Sequence, residues 1–491
     1  MKSDREPEPI FEVPCEAQEA GRRALLLAYH FPPGQAAGAL RWQKFVEYGA
    51  TRGWTFDVIT LQPARPLSAD PERLQSLPPG TRVFGVPNPP LAIERFENWA
   101  WRVLSIVRRR LASRRAGPGH EAPESTSSAA APTSPGSIGR GELQFRWLEL
   151  RSWWRAYQSL VELTRMGVWA RRAARLGRAV STPAHAVVIS SSPPEMPHVG
   201  AARLAKDLGL PFVPDFRDPW SLKERLTEHL ASPVAYRLAG VLEARVVRRA
   251  ARIVMNTDAA RDAMREIYPD RSEDIVAIPN GFDDEAIPHV ERDSRRFVVA
   301  YAGAVYLDRN PETFFRAASR VVKELNLLPE EFSIEFMGHI GLDFDLDALS
   351  RAAGVSEFVH TRASGTRAEA AEFMAGASML LNLPQDSHLA IPSKIYDYMT
   401  YQSYMLVLAE AESATANLLR DTRADVIDPR DEVAIARVLA QRVEEWQRGE
   451  RPMPLAEDDR FSRTARAVVM FDHLGQVSGP ASPVHGSGGE A

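Results

Sequence analysis

Residues able to handle a phosphate or a polyhydroxylated ligand recur along this chain at one kind of place, just after a short apolar run. In the segment 301–315 an apolar run closes at Gly303, a short loop carries Arg309, and Asn310-Pro311 opens a helix, with Pro at its favoured first position. An Arg beside a helix N-terminus can bind a diphosphate, the guanidinium bidentately and the free N–H groups alongside. The competing reading is a solvated loop Arg. In 383–402 Lys394 starts a helix and Asp397 follows on the same face. There the ammonium can neutralise a phosphate while the carboxylate accepts from a sugar or ribose hydroxyl. Alternatively the two form an intrahelical ion pair.

Three further loops carry polar groups. The segment 28–42 holds Gly34 and Gly38, which allow a ligand to approach the backbone at the start of a helix. Its G-x-x-x-G spacing is not a dinucleotide fingerprint, and no acidic residue ends the following strand. The segment 189–222 places His198 in the first turn of a helix and clusters Asp215, Arg217 and Asp218 after a strand. Carboxylates flanking an Arg can orient a polyhydroxylated substrate or form a buried ion-pair network, and His198 can bond a ligand or be structural. Asn280-Gly281 reads as a turn leading to a linker.

The elements that must position these residues alternate. Strand signals at 24–29 and 56–60 flank a helix from about Ala39, a unit that belongs to a parallel sheet. The alternation resumes with strands at 186–190, 212–216, 252–256 and 275–278 and helices from about Pro197, at 231–250 and at 258–267. A second series has strands at 297–303, 333–337, 356–359, 378–382 and 404–408. Its helices are expected at 311–325, 343–353, 367–375, 393–401, 412–420, 431–448 and near 462–475. Two such series predict an α/β chain of two doubly wound domains facing each other across a cleft, with the boundary near 286–295. The expected division is a disordered N-terminus (1–21), a first domain (22–288), a second domain (289–455), a helix returning toward the first (456–477) and a disordered tail (478–491). Within the first domain, 112–142 is rich in Ser, Ala, Pro and Gly and is expected to be a disordered insertion.

Composition narrows the class. The chain has 491 residues, 44% hydrophobic and 25% charged, with a net charge of −4, which excludes a fibre, a disulfide scaffold and a global polyanion-binding design. A nucleic-acid partner is therefore not expected. The single Cys15 is compatible with a reducing cytosol. Neither a signal peptide nor a spanning run is expected, so the localisation read from the sequence is cytoplasmic, peripheral at the inner face of the cell membrane. That last point rests on two basic aromatic segments. Residues 140–178 hold nine Arg and three Glu with Trp147, Trp153, Trp154 and Trp169, and residues 102–115 hold six Arg and no acid beside Trp99 and Trp101. Such segments suit an anionic membrane surface, or else the Trp residues pack on the sheet.

In order and placement, HFPP…G (30–38), SSPP (191–194), DFRDPW (215–220), IPNGFD (278–283), G-x-x-Y-x-x-R-N-P (303–311) and PSKIYDYM (392–399) resemble the retaining nucleotide-sugar glycosyltransferases of family 4. The resemblance runs from about Arg22 to Val477, apart from the insertion. It implies the GT-B fold and transfer of a sugar from a UDP- or GDP-type donor to a glycan or lipid-linked acceptor, in cell-surface polysaccharide or glycolipid synthesis. It also implies no cofactor and no metal. Arg309 and Lys394 would hold the diphosphate, with Gly34, Gly38, Gly303 and Asn310 beside the donor. Asp397 would take the place of the second glutamate of the family's Glu-x7-Glu element. His198 and Asp218, read with Arg309 and Lys394 as catalytic, and Asp215 and Arg217 would face the acceptor. Two positions depart: Leu389 stands where the first glutamate is expected, and Tyr401-Gln402 replaces Ala-Gly. A nucleotide-sugar epimerase of the same fold and an inactive membrane-adsorbing scaffold are the alternatives.

Overall fold

The structure is a computed structural model that describes residues 7–14, 22–34, 39–63, 72–115, 137–139, 150–222, 225–227, 232–283, 286–306, 309–341, 344–383, 387–456 and 459–479. The first domain runs β1 (Phe11–Glu12), β2 (Arg22–Ala28), α1 (Ala39–Ala50), β3 (Trp54–Leu61), α2 (Glu72–Gln75), β4 (Arg82–Val86), α3 (Ala92–Arg115), β5 (Ser137–Gly139), α4 (Leu150–Val180), β6 (His185–Ser191), α5 (Met196–Leu208), β7 (Phe212–Phe216), β8 (Arg225–Thr227), α6 (Pro233–Arg249), β9 (Ile253–Met255), α7 (Asp258–Ile267) and β10 (Ile275–Ala277). The second runs β11 (Phe297–Ala302), α8 (Glu312–Glu324), β12 (Phe332–Met337), α9 (Leu346–Ala353), β13 (Val359–Arg362), α10 (Arg367–Ala375), β14 (Met379–Asn382), α11 (Ser393–Met399), β15 (Tyr404–Leu408), α12 (Ala414–Leu419), β16 (Asp425–Ile427) and α13 (Glu432–Gln447). A last helix, α14 (Arg463–Ser478), follows.

Each domain is a doubly wound sheet. The first has the order β1-β4-β3-β2-β6-β7-β9-β10 and the second β13-β12-β11-β14-β15-β16. All ladders within these two sheets are parallel except that of β1 with β4. Helices cover both faces of a parallel sheet, so its central strands are apolar throughout instead of alternating. Accordingly Ala24 to Ala28 of β2 are all buried. One face of the first sheet packs Leu25, Ile59 and Val188 against Trp169 of α4 and Leu204 of α5. The other packs Leu26 and Val58 against Trp42 and Phe45 of α1 and Met470 and Phe471 of α14. The C-terminal helix thus completes one face of the first domain's core.

The two crossings between the domains lie side by side. Phe282 N–H donates to Phe461 O at 3.0 Å and Arg463 N–H to Phe282 O at 2.8 Å. A Cβ at Gly281 would stand 2.5 Å from Phe461 O, so this close approach requires glycine. Asp283 accepts from Arg463 and, at 2.9 Å, from Arg367 of α10.

Several boundaries differ from expectation. Phe11–Glu12 of the supposedly disordered N-terminus form an edge strand on β4, using ladder groups that β4 leaves free. Within 112–142, residues 112–115 continue α3, and Ser137–Gly139 pair antiparallel with β8. The remaining residues of that stretch lie outside the described set, as do 1–6, 15–21 and 480–491. The strand expected at 356–359 begins only at Val359, because Ser356–Phe358 form a 3-10 turn.

Candidate functional site

The second sheet's order is that of a dinucleotide-binding fold, three strands outward one way and three the other, and it reverses between β11 and β14. Ligands of such sheets bind beyond the strand ends at that reversal. The loop leaving β11 carries Arg309, and the loop leaving β14 leads to Lys394 in α11. Their backbone is tightly fixed. Gly303 N–H donates to Met337 O at 2.9 Å and Val305 N–H to His339 O at 2.9 Å, which knits the loops after β11 and β12 together. At Gly338, φ is +149° and a Cβ would stand 2.2 Å from Gly303 O, so only glycine fits.

Lys394 enters this crevice from the first turn of α11. Its Nζ lies 3.6 Å from the centroid of the Tyr301 ring, is buried and has no hydrogen-bond partner among the described residues. A Cβ at Gly303 would be 3.8 Å from it. Burial, and secondarily the charge of Arg309, hold the ammonium well below the ordinary lysine range. The intrahelical pair with Asp397 does not form. Arg309 donates to Ala304 O at 3.2 Å and stacks 4.4 Å from the Tyr306 ring centroid. Tyr301 lies between the two cations, its hydroxyl donating to Ala304 O at 2.9 Å. Burial pushes that phenol up to about 12, against the pull of Arg309. The arrangement concentrates positive charge at a strand end, and among the described residues no carboxylate pairs with Lys394. Asp397 is half-buried on the same helix, and Asn310 accepts from Glu312 N–H at 2.9 Å, fixing the start of α8.

The first domain's predicted residues divide differently. Asp215 is fully buried and accepts from Arg41 Nε and Nη2, both at 3.0 Å, and from Trp42 Nε1 at 2.7 Å. Arg41 also donates to Ile278 O at 2.7 Å, Pro279 O at 3.1 Å and Asn280 Oδ1 at 3.2 Å. Asp215 therefore locks α1 to β7 and to the chain leaving β10, and it does not face a ligand. His198 is likewise fully buried, bonded through Nδ1 to Ser190 Oγ at 2.7 Å and packed 4.4 Å from the Phe216 ring centroid. Burial lowers its pKa to about 4, with Glu195 and Asp215 opposing. An imidazole so enclosed has no access to substrate. Arg217 and Asp218 remain half-buried at the strand end, where burial presses against the Arg217 charge and Asp218 opposes it. Gly34 is braced, its N–H on Phe31 O at 3.0 Å and its carbonyl on Arg73 at 3.1 Å. Gly38 lies outside the described residues.

The first sheet reverses between β2 and β6, and there a cavity of about 370 Å³ opens. Tyr29 and His30 enter it from the β2 end, Pro193 to Met196 from the β6 end and Trp220 from the loop after β7, with α4 and α6 as walls. The histidine at the cavity is therefore His30 and not His198. Burial, then the charge of Arg217, lowers the His30 pKa. In the sequence His30 and Trp220 stand only within the motifs HFPP…G and DFRDPW, Tyr29 only as a strand end, and nothing marks Tyr236; aromatic residues at successive strand ends are the available signal. The strand-end loops of the two domains meet. Thr257 Oγ1, beyond β9, donates to Leu389 O at 2.7 Å, and the Leu389 side chain packs on the first domain's core.

Comparison with known proteins agrees with this architecture. Residues 107–281 match the Glycosyl transferase 4-like domain. No curated protein sequence matches the chain. Among solved structures, sucrose-phosphate synthase from Thermosynechococcus elongatus is similar with a TM-score of 0.54 at 12% identity, covering 93% of this chain and 99% of that one. A UDP-forming alpha,alpha-trehalose-phosphate synthase from Burkholderia xenovorans gives 0.54 at 10%, covering 94% and 100%. A glycosyltransferase from Rickettsia africae gives 0.52 at 8%, covering 93% and 99%. The expected two-domain GT-B fold is thus met.

Proposed function

Taking the chain as a glycosyltransferase of the GT-B type, which the matched domain and the fold together support, we propose that it moves a sugar from a UDP- or GDP-type donor to a glycan or lipid-linked acceptor with retention. The observation that carries the donor half is the unpartnered Lys394 ammonium, set beside Arg309 at the second sheet's reversal. As the anomeric bond breaks, its electron pair passes to the diphosphate and the sugar becomes oxocarbenium-like. The two cations stabilise that developing anion, an effect commonly worth several kcal/mol at a preorganised site. The proposal needs no metal, because Arg309 and Lys394 supply the charge. Asp397, on the helix that carries Lys394, would accept from the donor's ribose.

The acceptor half is the cavity at the β2–β6 reversal, with Arg217 and Asp218 at a neighbouring strand end. Association with an anionic membrane surface belongs to the same proposal, in a cell-surface polysaccharide or glycolipid pathway. What supports it is that α3 exposes Phe96, Trp99, Trp101, Leu104 and Ile106 and α4 exposes Trp153 and Trp154, beside a run of Arg. Trp169 is instead in the core, its Nε1 donating to Val86 O at 3.1 Å. Among the described residues no helix is long and apolar enough to cross a membrane. Incubating the protein with a panel of nucleotide sugars and following slow donor hydrolysis tests the reading. Turnover of at least one donor is expected, and binding of none contradicts it.

A further inference from the structure

The cavity at the β2–β6 reversal is built for hydrocarbon more than for sugar. Its walls are Leu163 and Met166 of α4, Tyr236 and Ala239 of α6, and the Trp220 ring. Polar side chains enter from His30, Glu162, Glu195 and Ser159, and they make contacts within the protein. Glu162 pairs with Arg165 at 2.5 Å and Ser159 Oγ bonds Ser232 Oγ at 3.0 Å. A sugar ring placed among the apolar walls would bury hydroxyls without partners, which is unfavourable, whereas each buried methylene is favourable. The volume, about 370 Å³, is in the range of small-molecule sites.

Position adds a second argument. The wall residue Leu163 lies ten positions along α4 from Trp153, which at 1.5 Å per residue is about 15 Å. Trp153 is 69% exposed and Trp154 52%. One helix therefore links an exposed aromatic surface to an apolar cavity at a strand-end crevice. We infer that this cavity holds the first part of the hydrocarbon chain of an amphiphilic acceptor, whose sugar or hydroxyl head sits toward His30 and the interdomain cleft. The inference rests on the transferase reading above and names its acceptor class, a polar head on a single acyl or prenyl-type chain.

The test is binding of alkyl glucosides of increasing chain length to the full chain, by calorimetry below their critical micelle concentrations. UDP and GDP are titrated separately. Affinity should rise about fourfold per methylene (about 0.8 kcal/mol each) over the first several carbons and then level off. Leu163→Glu places a carboxylate in the cavity from a half-buried position, and should remove the chain-length dependence while leaving nucleotide binding unchanged. Ala239→Phe, which fills the cavity, serves as the second variant should the first not fold. Chain-length-independent binding by wild type, or a dependence that survives both variants, overturns the inference. If UDP or GDP still binds in that event, the transferase reading stands; if neither binds, that reading is what has failed.

Discussion

Lys394 Nζ lies 3.6 Å from the centroid of the Tyr301 ring, buried and without a hydrogen-bond acceptor among the described residues, and the charge of Arg309 acts on it. A cation–π contact offsets only part of the cost of desolvating an ammonium. This arrangement is therefore strained electrostatically in the direction that an incoming anion relieves.

Stability should report that strain. The folded chain disfavours the Lys394 proton, so below the ordinary lysine pKa the unfolded chain holds it more tightly and folding is opposed. Lys394→Met should then melt at a higher temperature than wild type at pH 7, while saturating nucleoside diphosphate should raise wild type more than the variant. A variant that melts lower would mean that the ammonium has a favourable partner.

Asp215 should prove structural. Breaking a buried ion pair by removing one partner typically costs about 3–5 kcal/mol. Asp215→Ala strands Arg41 and frees Trp42 Nε1, so a loss of that order is expected in denaturant unfolding. A loss below about 1 kcal/mol, with activity abolished, would return Asp215 to an acceptor role.

His198 should impose an acid limit on stability. Its folded pKa, about 4, lies below the unfolded value of 6.5. The unfolded chain therefore takes up the proton first, and stability present above pH 6.5 is lost as pH falls toward 4. The full loss is about 3 kcal/mol. His198→Asn should flatten this part of the pH–stability curve without altering the pH profile of turnover; an altered turnover profile would show contact with substrate.

The exposed aromatic face should direct membrane binding. Full-length protein is expected to sediment with anionic vesicles, less so as salt rises. Replacing Trp99, Trp101, Trp153 and Trp154 together by Ser should weaken that binding at least tenfold. Equal sedimentation of wild type with neutral and anionic vesicles at low salt would contradict the account.

Much of this was legible in the sequence because doubly wound sheets announce themselves locally. α7 and α10 have the predicted bounds, each started by a capping Thr, Thr257 and Thr366. β4 escaped because Gly85 and the flanking Arg82 interrupt a short apolar run. The placement of Arg309 and Lys394 at neighbouring strand ends was legible because strand end, loop and helix start are contiguous. The roles of Asp215 and His198 were not: the partner of Asp215 is Arg41, 174 residues away, and a sequence does not say which of two histidines a fold buries. Leu389 looked like a missing glutamate. In the structure it is an interdomain contact, which explains an apolar residue there.

The central claim is that Arg309 and Lys394 clamp the donor's diphosphate. It is tested most directly by measuring donor turnover and UDP and GDP binding for wild type, Arg309→Ala and Lys394→Ala, each shown to be folded. Each substitution is expected to lower turnover by roughly 10²–10³-fold, as when one preorganised donor is lost at such a site, and to weaken nucleoside diphosphate binding. Near-normal turnover in both variants would contradict the clamp and leave the two cations as features of the fold alone.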